Sequence, residues 1–310
     1  DVNFKKMVGI LGKIGERAHI TKNLVFESNE KALTIGSALR IYDRTFLGHH
    51  LASVPEAKFN LKSKTDVYLG LMDFMSNHPY FEYYLAYFDD HLSWHDKMYK
   101  RFCSYINDKN KFFHDSLHFY EYNIGECKNV QPDNGLSCEA LQSPDEFFTF
   151  CQSSLDPIVA NCYQYNQRHF NLMEVKQLYE MLDLYIARRL WRISRNGQVA
   201  AYAVAESYTD GLNLYNLLDM CRVYPIDGNS GIQAVLQALL PNVTMFYRNF
   251  SKEKFNVMFK ATDQADNKVE VPGLHYHALA GRVIIHRDAG VEYRKLLNQM
   301  AIRHSSRRSH

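Results

Sequence analysis

The stretch Tyr224–Pro241, YPIDGNSGIQAVLQALLP, joins a β-rich run to an apolar run with helical spacing. The loop between them contains Gly228 and Gly231, directly before the predicted helix. The free N–H groups and the positive end of a helix favour an anion at such a junction, and glycine allows close approach. Asp227 or Asn229 could instead cap the helix. The sequence therefore leaves two interpretations open, an anion-binding loop and a structural turn.

The runs on either side of this loop predict a mixed sheet with helices on both faces, an α/β (α+β) fold. Arg195-Asn196-Gly197 joins two β-rich runs, and Asn-Gly is typical of a tight hairpin. A long strand, LNLYNLLDMCRVYP, leads into the loop, and Pro241 is predicted to end the helix that follows. VTMFYR is then predicted as a strand, and the residues from about Ser251 as a helix. Upstream, one helix is predicted from NLMEV as far as Ile186.

The order of these elements, together with the quoted loop, makes residues from about Cys138 to Ile302 resemble the GNAT N-acyltransferase superfamily. The first half repeats the order, with ALTIGSALRIYDRTFLGHHLASV as central strands, SKTDVYLGLMDFMSNH as a helix and YFEYYLAYF as the next strand. The resemblance implies two GNAT-like mixed-sheet domains in tandem, of which the first is degenerate and shortened at its start. We predict the first domain at residues 1–124, a linker at 125–137 and the second domain at 138–310.

The resemblance also implies a cofactor, acyl-CoA (acetyl-CoA), whose pyrophosphate the superfamily holds with the backbone N–H groups of this loop. The superfamily pattern is Gln/Arg-x-x-Gly-x-Gly/Ala. Here Gly228 and Gly231 are separated by two residues, and Asp227 adds a negative charge. No metal is expected. The residues that correspond to the cofactor site are Arg222, Val223, Gly228, Asn229, Ser230 and Gly231.

Acyl transfer to an amine needs a base for the ammonium proton and an acid for the departing thiolate. By position in the GNAT-like order, Asp219 and Glu206 are the candidate bases, and Tyr247, after the predicted VTMF strand, is the candidate acid. Each has a structural alternative, because carboxylates on strands are commonly solvated or paired and tyrosines are commonly packed aromatics. Both interpretations of these three residues stay open.

The composition limits the class of function. A net charge of +2 over 310 residues gives no strong attraction to nucleic acid. No apolar run approaches the roughly 20 residues of a membrane span. The six cysteines have no C-x-x-C spacing, which favours a reduced, cytoplasmic setting.

Two hypotheses about function remain. The first is an acyl-CoA-dependent N-acyltransferase acting on a small-molecule or protein amine. The second is a non-catalytic GNAT-like module of a larger bacterial protein, such as a signalling protein. That module would bind a ligand or, through its first domain, a protein partner. A regular GNAT loop would favour the enzyme, whereas the irregular loop with Asp227 favours the second hypothesis.

Overall fold

The computed structural model describes residues 8–10, 12–15, 17, 19–55, 61–89, 93–126, 135–212, 217–226, 231–261 and 269–306. The first half contains β1 (Thr21–Ser28), β2 (Lys31–Arg40), β3 (Thr45–Ser53), α1 (Leu61–Ser76), β4 (Tyr83–Asp89), α2 (Ser93–Ile106) and β5 (Phe112–Asn123). The second half begins with β6 (Leu136–Ala140), α3 (Asp145–Ser154), α4 (Pro157–Cys162), α5 (Met173–Glu180), β7 (Ile186–Arg195) and β8 (Gln198–Tyr208). It continues with β9 (Met220–Pro225), α6 (Ile232–Arg248), β10 (Lys254–Lys260), β11 (Leu274–His286) and α7 (Gly290–Ser306).

The strands form one eleven-stranded sheet in the order β1-β2-β3-β4-β11-β5-β10-β9-β8-β7-β6. Outward from the central β11–β5 pair, the two sides of the sheet repeat the same pattern. On one side β4 pairs with β3 in parallel, and on the other side β10 pairs with β9 in parallel. The remaining pairs are antiparallel. The predicted fold class, a mixed α/β sheet repeated in tandem, is confirmed. The domain division near residues 125–137 stays a prediction.

The predicted hairpin is present between β7 and β8. Arg195 pairs with Gln198 across a two-residue turn formed by Asn196 and Gly197. Both turn residues have positive φ, 51° at Asn196 and 80° at Gly197. Two such conformations in succession give the twist that a tight hairpin needs, and Asn-Gly adopts them with the least strain. The local signal in the sequence therefore fixed this connection correctly.

Helix α6 continues through Pro241, so the prediction that it ends there and that Val243–Arg248 form a strand was wrong. Leu239, Val243 and Phe246 keep helical spacing across the proline and are buried in one apolar cluster. A proline inside a helix removes one hydrogen bond and costs about 3 kcal/mol. Burying each large apolar side chain contributes about 1.5–3 kcal/mol, and several of them outweigh the proline.

Two further predicted elements differ in the structure. The segment predicted as a helix near Ser251 is strand β10, whose five central residues are all buried because it lies between β9 and β5. Strands covered on both faces lose the alternation that identifies a strand in a sequence. The helix predicted to reach Ile186 ends at Glu180, and Asp183 has a left-handed φ of 55°. Ile186 is instead the first residue of β7.

The sheet separates two apolar layers, and β9 shows how they divide. Cys221 and Val223 pack in one cluster with the buried face of α6. Tyr224 packs on the opposite layer, against Phe147 and Phe150 of α3. Successive side chains of a strand point to opposite faces, so Arg222 lies on the α3 side with Tyr224. This assignment places the charged residue of β9 beneath helices α3 to α5.

The turn between β2 and β3 of the first half packs beneath the helices of the second half. Thr45 donates a hydrogen bond to the carbonyl of Cys162 at 2.5 Å. The hydroxyl of Tyr179 donates to the carbonyl of Arg40 at 2.8 Å. Both contacts are buried, and each replaces water for a polar group that would otherwise be unsatisfied. The two halves are therefore joined by specific polar contacts as well as by the shared sheet.

Candidate ligand-binding cleft

Strands β9 and β10 separate at their carboxyl ends. Their parallel pairing runs from Met220–Asn256 to Val223–Phe259. Beyond Val223, β9 continues to Pro225 and pairs with β8. Ligands of open α/β sheets bind outside the carboxyl ends of the strands. The gap between β9 and β10 is therefore a candidate ligand site.

A cavity of about 230 Å³ lies at this gap. Its wall is built from strands β5, β9, β10 and β11 and from the adjoining ends of α3 and α4. Apolar and charged side chains both contribute to it. Those that matter for its chemistry are Phe150, Asp156, Arg222, Tyr224, Met258 and Arg282. The cavity thus combines a mainly apolar wall with a few charged groups, as small-molecule sites commonly do.

The first residue before helix α6 is Gly231, with φ −50°. A Cβ atom at this position would meet nothing within 4 Å, so the space beside it is open. The first N–H groups of a helix have no partner inside the helix, and α6 is 17 residues long. The start of α6 is therefore suited to an anion. The other predicted loop residues, Gly228, Asn229 and Ser230, lie outside the described residues.

Glu206, on β8, is buried between two arginines. Arg188 on β7 donates from Nε to Oε1 at 2.8 Å, and Arg222 on β9 donates from Nη1 to Oε2 at 2.7 Å. The hydroxyl of Tyr42 donates to Oε2 at 2.6 Å. Burial by itself would raise the pKa of Glu206, but the two arginines and the Tyr42 hydrogen bond outweigh burial and lower it. Glu206 is therefore an ionised carboxylate with both oxygens engaged.

Arg222 and Arg282 approach the same aromatic ring. The guanidinium carbon of Arg222 lies 4.3 Å from the ring centre of Tyr163. Arg282 donates to the hydroxyl of Tyr163 at 3.1 Å and to both oxygens of Asp115, at 2.8 and 2.6 Å. Within the described chain, the buried Nε of Arg222 has no hydrogen-bond partner. Arg222, predicted as a cofactor residue, thus lies in the cavity wall and in the Glu206 network, and its neighbour Val223 lines the cavity.

Asp219 lies at the other end of β9 from the cavity. Its Oδ1 accepts hydrogen bonds from Ser207 Oγ and Tyr208 N, both at 3.0 Å. Its Oδ2 lies 2.9 Å from Nζ of Lys252. At about 3.3 Å per residue, Asp219 is about 16 Å along the strand from Tyr224. The structure gives Asp219 a set of stabilising contacts, and its role as a base stays a prediction.

Tyr247 lies in helix α6 rather than after a strand, because the VTMFYR segment is helical. It is fully buried, its ring stacks on Phe255 at 4.1 Å, and its hydroxyl donates to the backbone carbonyl of Glu206 at 3.0 Å. Burial raises the pKa of Tyr247 well above its ordinary value. Tyr247 and Glu206 are therefore brought together, whereas Asp219 has separate partners. The acid role of Tyr247 stays a prediction.

The sequence analysis missed Asp156. It immediately precedes α4, is half-buried and lines the cavity. In the part of the chain that the structure describes, its carboxylate makes no hydrogen bond or ion pair. The signal was the dipeptide Asp156-Pro157, since proline favours the first position of a new helix. This dipeptide marks the break between α3 and α4 that brings Asp156 to the cleft.

Three general properties of the described residues bear on the site. They include no group of three or more His, Cys, Asp and Glu side chains that could hold a metal ion. None of the helices among them is both long enough and apolar enough to cross a membrane. Their cysteines are free, and these are Cys103, Cys138, Cys151, Cys162 and Cys221.

The fold is similar to that of several solved structures. One is a tandem GNAT protein from the clavulanic acid biosynthesis pathway, with 11% identity, 86% of this chain and 83% of that chain covered, and a TM-score of 0.40. A GCN5-related N-acetyltransferase from Kribbella flavida has 10% identity, coverage of 91% and 95%, and a TM-score of 0.43. A Drosophila protein has 12% identity, coverage of 92% and 88%, and a TM-score of 0.44.

These similarities concern the fold alone. The structure has the mixed sheet repeated in tandem that the GNAT resemblance predicted, with one parallel strand pair on each side of its centre. No protein-family model matches the sequence, and no curated protein sequence matches it. What the structure shows is a mixed sheet repeated in tandem, with a small charged cleft between β9 and β10.

Proposed function

We propose that the chain is an acyl-CoA-dependent N-acyltransferase that binds acyl-CoA at the gap between β9 and β10 and acts on an amine. The observation that carries this proposal is the separation of the two parallel strands beyond Val223, next to a cavity and to the start of α6. A gap of this kind exposes strand backbone to a ligand, and a helix start attracts its anionic part.

The residues present fit the cofactor. The open space beside Gly231 allows a phosphate to approach the first N–H groups of α6. The edge of β9 from Val223 to Pro225 offers backbone groups on the side that faces away from β8. Bound acyl-CoA would supply an acyl group activated as a thioester. The chain's own part is to hold the acyl group and the amine together, which by itself can lower the activation barrier by several kcal/mol.

Proton transfer would use a carboxylate at the cleft. Asp156 lines the cavity and is unpaired among the described residues, so we assign it the role of base for the ammonium proton. The predicted roles of Asp219, Glu206 and Tyr247 are kept as proposals. All three have stabilising contacts in the interior, and this observation favours a second candidate function, a GNAT-like module that binds its ligand without catalysis.

Calorimetric titration with acetyl-CoA tests the binding proposal. We expect Gly231→Val to abolish binding without unfolding the protein, because its Cβ would project into open space that a phosphate would need. Gly125→Val is a matched control, since it also adds a side chain in open space but lies away from the cleft. No heat from the unchanged protein at millimolar acetyl-CoA would reject the proposal.

A second measurement separates the enzyme from the binding module. Thiol release from acetyl-CoA is followed with a panel of amines. Turnover that falls by about 10²–10⁴-fold in Asp156→Asn would support catalysis with Asp156 as base. Binding of acetyl-CoA without thiol release from any amine would favour the non-catalytic module. A cytoplasmic location, a bacterial source and a protein partner bound through the first half remain predictions.

A further inference from the structure

Three buried arginines meet two carboxylates beside the cleft. Arg188 and Arg222 share Glu206, and Arg282 pairs with Asp115. The side chains of the three arginines are only 1%, 5% and 6% exposed. Among the described residues that they contact, one positive charge is therefore left without a negative partner. An uncompensated buried charge is strongly unfavourable, so such a site favours an anion.

Two of the surrounding tyrosines, Tyr42 and Tyr87, do not supply that negative charge. Tyr42 donates to Glu206, and burial raises its pKa well above the ordinary value. Burial likewise raises the pKa of Tyr87, which shares a hydrogen bond with Tyr163. Tyr42 and Tyr87 are therefore neutral near pH 7. The positive excess therefore remains among the described residues of the site.

The excess is located at Arg222. The other two arginines are well satisfied: Arg188 also donates to two backbone carbonyls, at 3.2 and 3.0 Å, and Arg282 binds both oxygens of Asp115. Arg222 donates one hydrogen bond to Glu206, while its buried Nε has no partner among the described residues. Arg222 also lines the cavity. The unmatched charge, the unsatisfied donor and the cavity thus coincide at one side chain.

The cavity restricts what the anion can be. Its volume, about 230 Å³, is below the roughly 300–1,000 Å³ of pockets for drug-sized ligands, so the ligand is small. A carboxylate carries one negative charge, which equals the excess, and its two oxygens match the planar guanidinium group. A phosphate would carry up to two charges. The carboxylate of Asp156 in the same wall, which has no partner among the described residues, would meet a positive group of the ligand.

We infer that this cavity recognises a small substrate through a carboxylate held by Arg222, and that the acceptor is an amino acid. Its carboxylate would contact Arg222 and its amine would face Asp156. The recognition of a carboxylate stands by itself, whereas its assignment to the acceptor rests on the proposed function. The same chemistry could come from a dicarboxylic acyl group such as that of succinyl-CoA, and the experiment distinguishes the two sources.

The test is calorimetric titration of the unchanged protein with free amino acids, each compared with its own amide, and with succinyl-CoA compared with acetyl-CoA. A charge-assisted hydrogen bond that the acid makes and its amide cannot make corresponds to at least about a tenfold difference in affinity. We expect one or more amino acids to bind at least tenfold more tightly than their amides. A preference for succinyl-CoA with no binding of free amino acids would assign the carboxylate to the acyl chain and overturn the amino-acid acceptor.

Arg222→Met should remove the preference for the acid over the amide. Arg192→Met is the matched control. Arg192 lies on β7, in the same part of the sheet, but forms an accessible ion pair with Glu139 away from the cavity. Equal binding of acids and amides, no binding of any carboxylate at millimolar concentration, or tighter binding of inorganic phosphate would each overturn the inference. If Arg222→Met does not fold, the comparison of acids with amides decides alone.

The recognition of a carboxylate is tested independently of the proposed function. Free amino acids require no cofactor, so their binding is measured whether or not acetyl-CoA binds. Binding of acetyl-CoA that is sensitive to Gly231→Val, together with no carboxylate binding, would refute the inference and leave the proposed function standing. Carboxylate binding without acetyl-CoA binding would support the recognition of a carboxylate and reject the proposed function.

Discussion

Replacement of Glu206 by glutamine tests whether this carboxylate stabilises the interior. The two side chains have nearly the same shape, so Glu206→Gln removes the charge while keeping the packing. Arg188 and Arg222, whose side chains are 1% and 5% exposed, would then lie in the interior without their counter-ion. Removing one partner of a buried ion pair costs about 3–5 kcal/mol. That is a large part of the roughly 5–15 kcal/mol by which a domain is stable.

The assay is urea denaturation at pH 7, with the free energy of unfolding taken from the linear dependence on urea. Glu139→Gln is the matched control, because Glu139 also pairs with an arginine but is 57% exposed. An exposed ion pair contributes about 0–1 kcal/mol, so the control should remain close to the unchanged protein. A loss of less than about 1 kcal/mol in Glu206→Gln would refute the reasoning. A large loss of turnover in a fully stable variant would instead support Glu206 as a base.

The effect of Glu206→Gln on the free energy of unfolding should depend on pH. The pKa of Glu206 is lowered in the folded protein, so its charged form is favoured by folding. Its stabilisation is therefore fully present above the unfolded pKa of about 4.3 and is lost as the pH falls through the folded value. The difference in unfolding free energy between the unchanged protein and Glu206→Gln should shrink below about pH 4. A difference that stays constant on acidification would contradict this assignment.

Two further substitutions test the neighbours of Glu206. Tyr42→Phe removes a buried hydrogen bond to a charged group and should lower the free energy of unfolding by about 1.5–3 kcal/mol. The same urea denaturation measures it. An unchanged free energy of unfolding would mean that this contact does not hold the two halves together. Tyr247→Phe removes the donor to the carbonyl of Glu206 and should lower the free energy of unfolding by about 1 kcal/mol; a purely structural contact would leave turnover unchanged. A fall in thiol release of about 10²–10⁴-fold at unchanged acetyl-CoA affinity would instead support the acid role.

The fold was predictable where local chemistry and element order agreed. Asn196-Gly197 identified the β7–β8 hairpin because few other pairs adopt two positive φ angles easily. Pro241 misled the analysis because its intrinsic cost in a helix is real, while the compensating burial of Val243 and Phe246 depends on the sheet beneath α6. The failure of the local rule at Pro241 thus has a tertiary cause.

The position of β11 between β4 and β5 was outside the reach of any local signal. Pairing partners in a sheet depend on contacts far apart in the sequence. An element order of strand, helix and strand is compatible with the last strand of each half staying in its own half or entering the other. The structure shows that β5, from the first half, pairs with β10 and β11 of the second half. Strand β11 in turn pairs with β4 and β5 of the first half. The order of elements was thus readable, whereas their pairing was not.

The charged cleft was predictable only in part, and the reason lies in strand register. A single charged residue in a strand ordinarily indicates exposure, so the sequence left Glu206 open between a candidate base and a solvated or paired carboxylate. In the sheet, Arg188 is directly opposite Glu206, and Arg222 is opposite Val204, the residue two before Glu206 on the same face. Opposite charges on adjacent strands can neutralise each other in the interior, but a shift of one residue would separate them.

The third contact, from Tyr42, crosses 164 residues of sequence and depends on the way the first half packs on the second. The network is consequently a property of both halves together. Glu206 can neutralise only one of the two arginines that it contacts, so the remaining charge is fixed by topology rather than by composition. Because that charge is at Arg222, in the wall of the cleft, the network that Tyr42 completes also contains the group that gives the cleft its positive charge among the described residues.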